Sequence, residues 1–164
     1  PGGWRGIARY GILTLQRSTA MQAPAENSEI ILPFSREYAI INFRGMAFHI
    51  RWLMRMTEQD WRRMKQREAV YADLAALPPL VLRTRRAGDF MQLPIGRKKL
   101  KEILIDDKVP QEVRDRMPLL ALADTYEIFW IAGGRRSVLA PVTESSTDIL
   151  RIVCVKETMP NDEQ

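Results

Sequence analysis

The 164-residue sequence predicts an α+β protein of mostly antiparallel strands with one amphipathic basic helix and a short second helix. Three observations predict it. Short β-rich runs are punctuated by proline and glycine, the residues that end strands and make turns. One stretch, Arg97 to Asp107, repeats its apolar residues Leu100, Ile103 and Leu104 at the i, i+3, i+4 spacing of a helical stripe. Composition completes the case: 46% hydrophobic and 27% charged residues are globular proportions, and the length suffices for one domain or two small ones with a core that needs no disulfide.

Pro1 to Thr19 reads as a turn and then a short strand with Ile12, Leu13 and Leu15 near its end, and the polar, proline-containing Gln22 to Ser28 as a loop. Ile30 to Leu32, Tyr38 to Asn42 and Ala47 to Met54 are β-rich runs separated by Pro33 and Gly45, read as an antiparallel meander. Thr57-x-x-Asp60 can cap a helix through Trp61, Met64 and Arg67, although Arg62 to Glu68 is polar enough to be a solvated loop instead. Leu80-Val81-Leu82 is an apolar strand, and Ala87-Gly88-Asp89 a turn. Pro110 stops the basic helix and can open a short second one through Arg116. Strands are then expected at Pro118 to Leu122, Glu127 to Ile131 and Ile149 to Val155, with Gly133-Gly134 a turn.

Twenty-five Lys and Arg stand against 20 Asp and Glu, a formal +5. Between Arg83 and Lys101 seven basic residues (Arg83, Arg85, Arg86, Arg97, Lys98, Lys99, Lys101) face one acid, Asp89, so this window alone holds a net +6. Pro1 to Arg67 is also basic, with 11 cations to 5 acids, whereas Glu102 to Gln164 has 7 to 12. Such asymmetry points to a polyanionic partner. Within the expected helix, Arg97, Lys98 and Lys99 fall in the first turn and Asp106-Asp107 in the last, against the macrodipole. A helix so charged is poorly placed for stability and well placed for phosphate, with Arg97, Lys101 and Lys108 on one ridge beside the apolar stripe. A solvated basic face is the bland alternative. Arg83 and Arg85 share one face of their strand, and Arg135-Arg136 form a second small cluster.

Catalytic and metal chemistry finds little to work with. A single histidine and a single cysteine leave too few ligands for an ordinary protein zinc site and make a Cys/His or Ser/His dyad improbable. His49, among Phe48, Ile50 and Trp52, reads as a structural strand residue, and Cys154, within Ile152 to Val155, as a buried hydrophobe. Asp106 and Asp107 diverge by about 100° on a helix and cannot pair as acid and base. No phosphate-loop pattern occurs, and no apolar run approaches the roughly 20 residues that span a bilayer. A reducing, cytoplasmic setting is expected, and the opening Pro1-Gly2-Gly3 without an initiator Met suggests a segment of something longer.

Four ordered blocks carry a resemblance: Val81 to Asp89 (VLRTRRAGD), Gly96 to Pro110 (GRKKLKEILIDDKVP), Arg114 to Leu120 (RDRMPLL) and Glu127 to Arg135 (EIFWIAGGR). Together they resemble the C-terminal region of bacterial tRNA(Ile)-lysidine synthetase, and Pro1-Gly2-Gly3 with Tyr10-Gly11-x-Leu13 is similar to that family's approach to it. The resemblance implies a fold similar to a module of the phenylalanyl-tRNA synthetase β subunit. It implies a parent ligase that uses ATP, with magnesium, to join lysine to the wobble cytidine of tRNA(Ile) through an adenylate. Catalysis would lie in an N-terminal ATP-pyrophosphatase domain with a Ser-Gly-Gly-x-Asp-Ser loop, absent from these residues, so neither a catalytic residue nor a cofactor site is expected here. Residues 1–70 would be a strand-rich lead-in from the middle of the parent, 71–158 the tRNA-recognition domain on the acceptor-stem side, and 159–164 a tail.

Carried over as tRNA contacts are Arg83, Arg85, Arg86, Lys98, Lys99, Lys101, Lys108 and Arg135, to which the charge pattern adds Arg97; Gly88 and Asp89 match as turn residues, and Pro110 as the helix stop. Where the family usually places an arginine after Gly-Asp, Phe90 and Met91 stand, so one phosphate contact is either missing or supplied by Arg97. The expected partners are tRNA(Ile), with lysine and ATP through the parent, and no membrane; a homodimer stays open. The rival reading is a self-standing, non-catalytic RNA-binding or protein-interaction module.

Overall fold

The computed structural model describes residues 4–9, 12–17, 29–33 and 36–157. Along the chain run β1 (Trp4–Arg9), β2 (Ile12–Arg17), β3 (Ile30–Ile31), β4 (Ala39–Phe43), β5 (Met46–Leu53), α1 (Glu58–Arg63), β6 (Ala69–Asp73), β7 (Leu80–Arg83), β8 (Phe90–Leu93), β9 (Gly96–Lys99), α2 (Leu100–Asp106), α3 (Gln111–Arg114), β10 (Leu119–Leu122), β11 (Ile128–Ile131) and β12 (Ile149–Lys156). Every strand pairing is antiparallel. The expected α+β class holds. The loop expected at 22–28 and the tail at 159–164 lie outside the described residues.

Two four-stranded sheets, ordered β11-β10-β7-β3 and β4-β5-β12-β6, form the body, and β1-β2 and β8-β9 are separate hairpins. Period-two alternation sorts the side chains of β7 and β10. Leu80, Leu82, Leu120 and Leu122 point between the sheets, where they meet Phe48, Ile50, Ile152 and Cys154. Val81, Leu119 and Ala121 point the other way, onto Met91 and Leu93 of the β8-β9 hairpin and Leu100, Ile103 and Leu104 of α2. A register shift between Leu120 and Ala121 lets β11 do likewise, with Phe129 and Trp130 on the first side and Ile128 and Ile131 on the second. This sheet is covered on both faces, which is why its strands are unbroken apolar runs. The outer face of the second sheet, with Tyr71 and Ile149, packs against Met56 and Met64 flanking α1.

Thr57 caps α1 through the predicted box: its hydroxyl accepts from the Asp60 N–H at 3.1 Å while Asp60 accepts from the Thr57 N–H at 3.0 Å. Asp60 is buried and also accepts from the Tyr71 hydroxyl at 2.9 Å and Arg151 at 3.0 Å, so every donor around it favours the carboxylate. Burial and that bond push the Tyr71 phenol up to about 12. The helix stops at Arg63, and 64–68 is turn, which divides the stretch that could have been helix or loop.

Four differences from expectation bear on the site. Ile30-Ile31 does form a strand, yet its partner is β7 and not β4, so the meander is reduced to the β4-β5 hairpin, turned by Arg44 and Gly45 at φ 51 and 75. The start of the chain gives two strands where one was expected. No strand is expected at β6 or β8, and β9 takes up Arg97 to Lys99, the residues expected to open the basic helix. Finally, β5 pairs with β12 along eight residues and β12 with β6, so the division expected after residue 70 runs across one sheet and inside a strand.

Candidate nucleic-acid interface

The basic window folds around one buried ion pair. Arg83 follows Val81 onto the face of β7 that α2 and the hairpin cover, where it is 2% exposed. Its two terminal nitrogens each bond one Asp89 oxygen at 2.9 Å, and the same guanidinium donates to the backbone oxygens of Thr84 and Thr125. Asp89 further accepts from the Arg86 N–H at 2.7 Å, and its own backbone oxygen takes the Leu100 N–H that opens α2. Gly88, at φ +94, makes the turn that lets residue 89 fold back. Gly88 and Asp89 thus shape the turn between β7 and β8. Arg83 is corrected from an RNA contact to the internal tie of loop 84–89, because both terminal nitrogens of its guanidinium are bonded inside the fold and its Nε, though without a partner, is buried out of reach of phosphate.

The basic helix is also shorter than its pattern suggested. Gly96 has φ +117 and Lys99 is extended at φ −63, ψ 135, so Gly96 to Lys99 is strand β9, paired with β8, and only Leu100 begins the helix. Arg97, Lys98 and Lys99 thus lie outside α2, Lys108 follows it at φ +55, and the helical ridge of Arg97, Lys101 and Lys108 does not form. The acids at the helix end have their own partners: Lys98 bonds Asp106, and the Arg135 Nε reaches both oxygens of Asp107 at 2.9 and 3.0 Å. Lys98 holds the Asp106 carboxyl below its ordinary value, and Asp107 raises that of the Arg135 guanidinium. The arrangement that looked misplaced against a dipole is a pair of cross-element ion pairs.

Hairpin geometry sorts the rest. Met91 and Leu93 face inward, while Phe90, Gln92, Arg97 and Lys99 share the outer face. Arg97 sits diagonally from Phe90 across the strands, with its guanidinium 3.3 Å from the ring centroid. The departure at position 90 therefore supplies a platform for Arg97. Arg85 pairs with Asp115 at 2.7 Å and Arg86 with Glu29 at 3.2 Å. Of the nine sequence-predicted contacts, Arg97, Lys99, Lys101 and Lys108 are exposed and have no ion-pair partner among the described residues.

Sequence reasoning missed a second feature. An open groove of about 470 Å³ lies between the turn after α1 and the tip of the β8-β9 hairpin, lined by Met64, Lys65, Arg67, Leu93, Ile95 and Trp130 among others. The basic stretch 62–67 is visible in the sequence, but its neighbour across the groove is not, since the residues of β9 read as the start of a helix. Elsewhere, His49 is a strand residue whose Nδ1 meets the Tyr38 hydroxyl at 2.6 Å. Cys154 is buried, and burial pushes its thiol up to about 11. Among the described residues no group of three His, Cys, Asp or Glu is placed to hold a metal, and no helix is long and apolar enough to cross a membrane.

Known proteins define the class. Residues 80–148 match the family model described as the TilS substrate C-terminal domain, the span that contains the Arg83–Asp89 tie, the hairpin and α2. A crystal structure of a TILS C-terminal domain superposes with a TM-score of 0.67 at 28% identity, over 81% of this chain and 99% of that one. The relatives by sequence are named tRNA(Ile)-lysidine synthase: that of Persephonella marina is 42% identical over 73 residues, 43% of this chain and 16% of that protein. That of Geobacillus kaustophilus is 37% identical over 110 residues, 65% of this chain and 21% of that protein. The chain thus spans about a fifth or less of the length of these relatives. The resemblance is borne out over residues 80–148, which are similar to the TilS substrate C-terminal domain.

Proposed function

We propose that this chain is the tRNA-contacting C-terminal portion of an ATP-dependent ligase that joins lysine to the wobble cytidine of tRNA(Ile), forming lysidine. The observation that carries the reading is the set of four exposed cations without an ion-pair partner among the described residues, Arg97, Lys99, Lys101 and Lys108, on the outer hairpin face and both ends of α2, within the segment that matches the TilS domain. Phosphate contacts of this kind position an RNA without reading its bases. The hairpin and helix are rigidly backed by the core of Met91, Leu93, Leu100, Ile103 and Leu104, so the cations sit on a fixed edge. That edge would meet the acceptor-stem side of the tRNA, on a fold related to the phenylalanyl-tRNA synthetase module.

ATP, magnesium, lysine and the adenylation step belong to the remainder of the parent enzyme, in the cytoplasm. The residues here do not fit those ligands: the chain has no Ser-Gly-Gly-x-Asp-Ser loop and, among the described residues, no carboxylate cluster for a metal. Binding of the chain to tRNA(Ile) as salt is varied tests the reading. Affinity should fall steeply with salt, with a log–log slope of about −0.7 to −0.9 for each phosphate that the chain neutralises. Salt-independent binding overturns it, as does ATP consumption by this chain alone when given tRNA and lysine.

A further inference from the structure

The groove between Met64–Arg67 and the hairpin tip is not used by the edge described above. Its lining includes four cations, Lys65, Arg67, Arg135 and Arg136, and no acid. Two of them are occupied: Arg135 by Asp107, and Arg136 by the backbone oxygens of Tyr71, Ser137 and Leu139. Lys65 and Arg67 are exposed and have no ion-pair partner among the described residues. Opposite them Ile95, 87% exposed, projects from a tip whose backbone is held by β8-β9 pairing, and Met64, Leu93 and the edge of Trp130 make an apolar floor.

An apolar slot with two free cations on one wall suits an anion that also carries a flat apolar body. Nucleotides are such groups, and only unpaired ones can offer the face of the base, which is buried in a duplex. The outer face of the same hairpin carries Arg97 and Lys99, so a duplex on that face would have its end near the tip. We propose that this groove takes one or two unpaired nucleotides of an RNA strand leaving a duplex, with phosphate on Lys65 and Arg67 and a base against Ile95 and Met64. The inference rests on the RNA-binding reading above and adds a single-strand site to it.

Fluorescence anisotropy with the full chain tests it, using a blunt RNA hairpin and the same hairpin with a four-nucleotide 3′ overhang. The overhang should tighten binding by roughly five- to tenfold, the low end of what a base stacked on an aromatic ring gives, since Ile95 and Met64 offer apolar contact without a ring. Lys65→Ala with Arg67→Ala should remove that gain and leave blunt-hairpin affinity unchanged, and Ile95→Asp should do the same by a different route. All three side chains are exposed, so the melting temperature should hold. Blunt binding without an overhang gain overturns the groove alone, as does a gain that survives both variants. Failure to bind either RNA overturns the RNA reading itself. If a hexaglutamate peptide binds as tightly as the overhang and is released by the same variants, the groove is a peptide site and the proposal is wrong.

Discussion

Arg83 and Arg97 stand at opposite ends of one basic window, and the fold treats them oppositely. Arg83 enters the space between the middle sheet and α2, where a guanidinium out of water must be paired, and Asp89 pairs it through two bonds at 2.9 Å. Arg97 stays on the outer hairpin face, supported by the ring of Phe90 and free to meet a ligand. Charge along a sequence therefore overstates charge available to a partner. Five of the nine expected contacts balance acids of the same chain, and four remain.

Cutting the buried tie should give the largest effect. Arg83→Ala leaves Asp89 charged and unpaired beneath α2, and urea denaturation should show a loss of about 3–5 kcal/mol, the range for breaking a buried pair. A loss below about 1 kcal/mol, as for a surface pair, would place Arg83 back among the exposed cations. Phe90→Ala should act on binding and not on that tie. Without its platform Arg97 samples more rotamers, and tRNA affinity measured by anisotropy should fall about two- to fivefold, the worth of an exposed cation–π contact.

The smallest effect belongs to Lys98→Ala, since Asp106 is solvated. Lys98 lowers the folded-state value of Asp106 below its ordinary 3.8, so the pair's contribution is present above 3.8 and is lost as pH falls through the lower folded value. Denaturation midpoints of the variant should accordingly lie slightly below those of the parent chain near neutrality and meet them at acid pH, so part of the acid dependence in that window is lost. An unaltered acid profile would remove the ion pair from the description.

Much of this was legible because apolar runs report burial directly. Leu80-Val81-Leu82, Leu119 to Leu122 and Ile149 to Val155 are strands wherever they pair, and Thr57-x-x-Asp60 caps a helix from local chemistry alone. Pairing partners were less legible, since Ile30-Ile31 chooses β7, some fifty residues away, over its neighbour. The start of α2 was misplaced because Arg97, Lys98 and Lys99 contain no apolar residue to set a phase, and helix and strand read alike in such a run. Met91 and Leu93 alternating before Pro94 and Gly96 held the missing signal for the hairpin. The burial of Arg83 had no local sign, because Asp89 reaches it only after Gly88 turns the loop. For the candidate site, the window was visible but the division of its cations into paired and free was not, since each pair joins separate elements.

That division is most directly tested by two quadruple variants of the same chain, compared in the salt dependence of tRNA(Ile) binding. Changing Arg97, Lys99, Lys101 and Lys108 to Ala should reduce the log–log slope by about 3, at roughly 0.7–0.9 per lost phosphate contact, while changing Arg85, Arg86, Lys98 and Arg135 should reduce it by less than about 1. Equal losses from the two variants, or the larger loss from the second, would contradict the assignment of RNA contact to the unpaired edge.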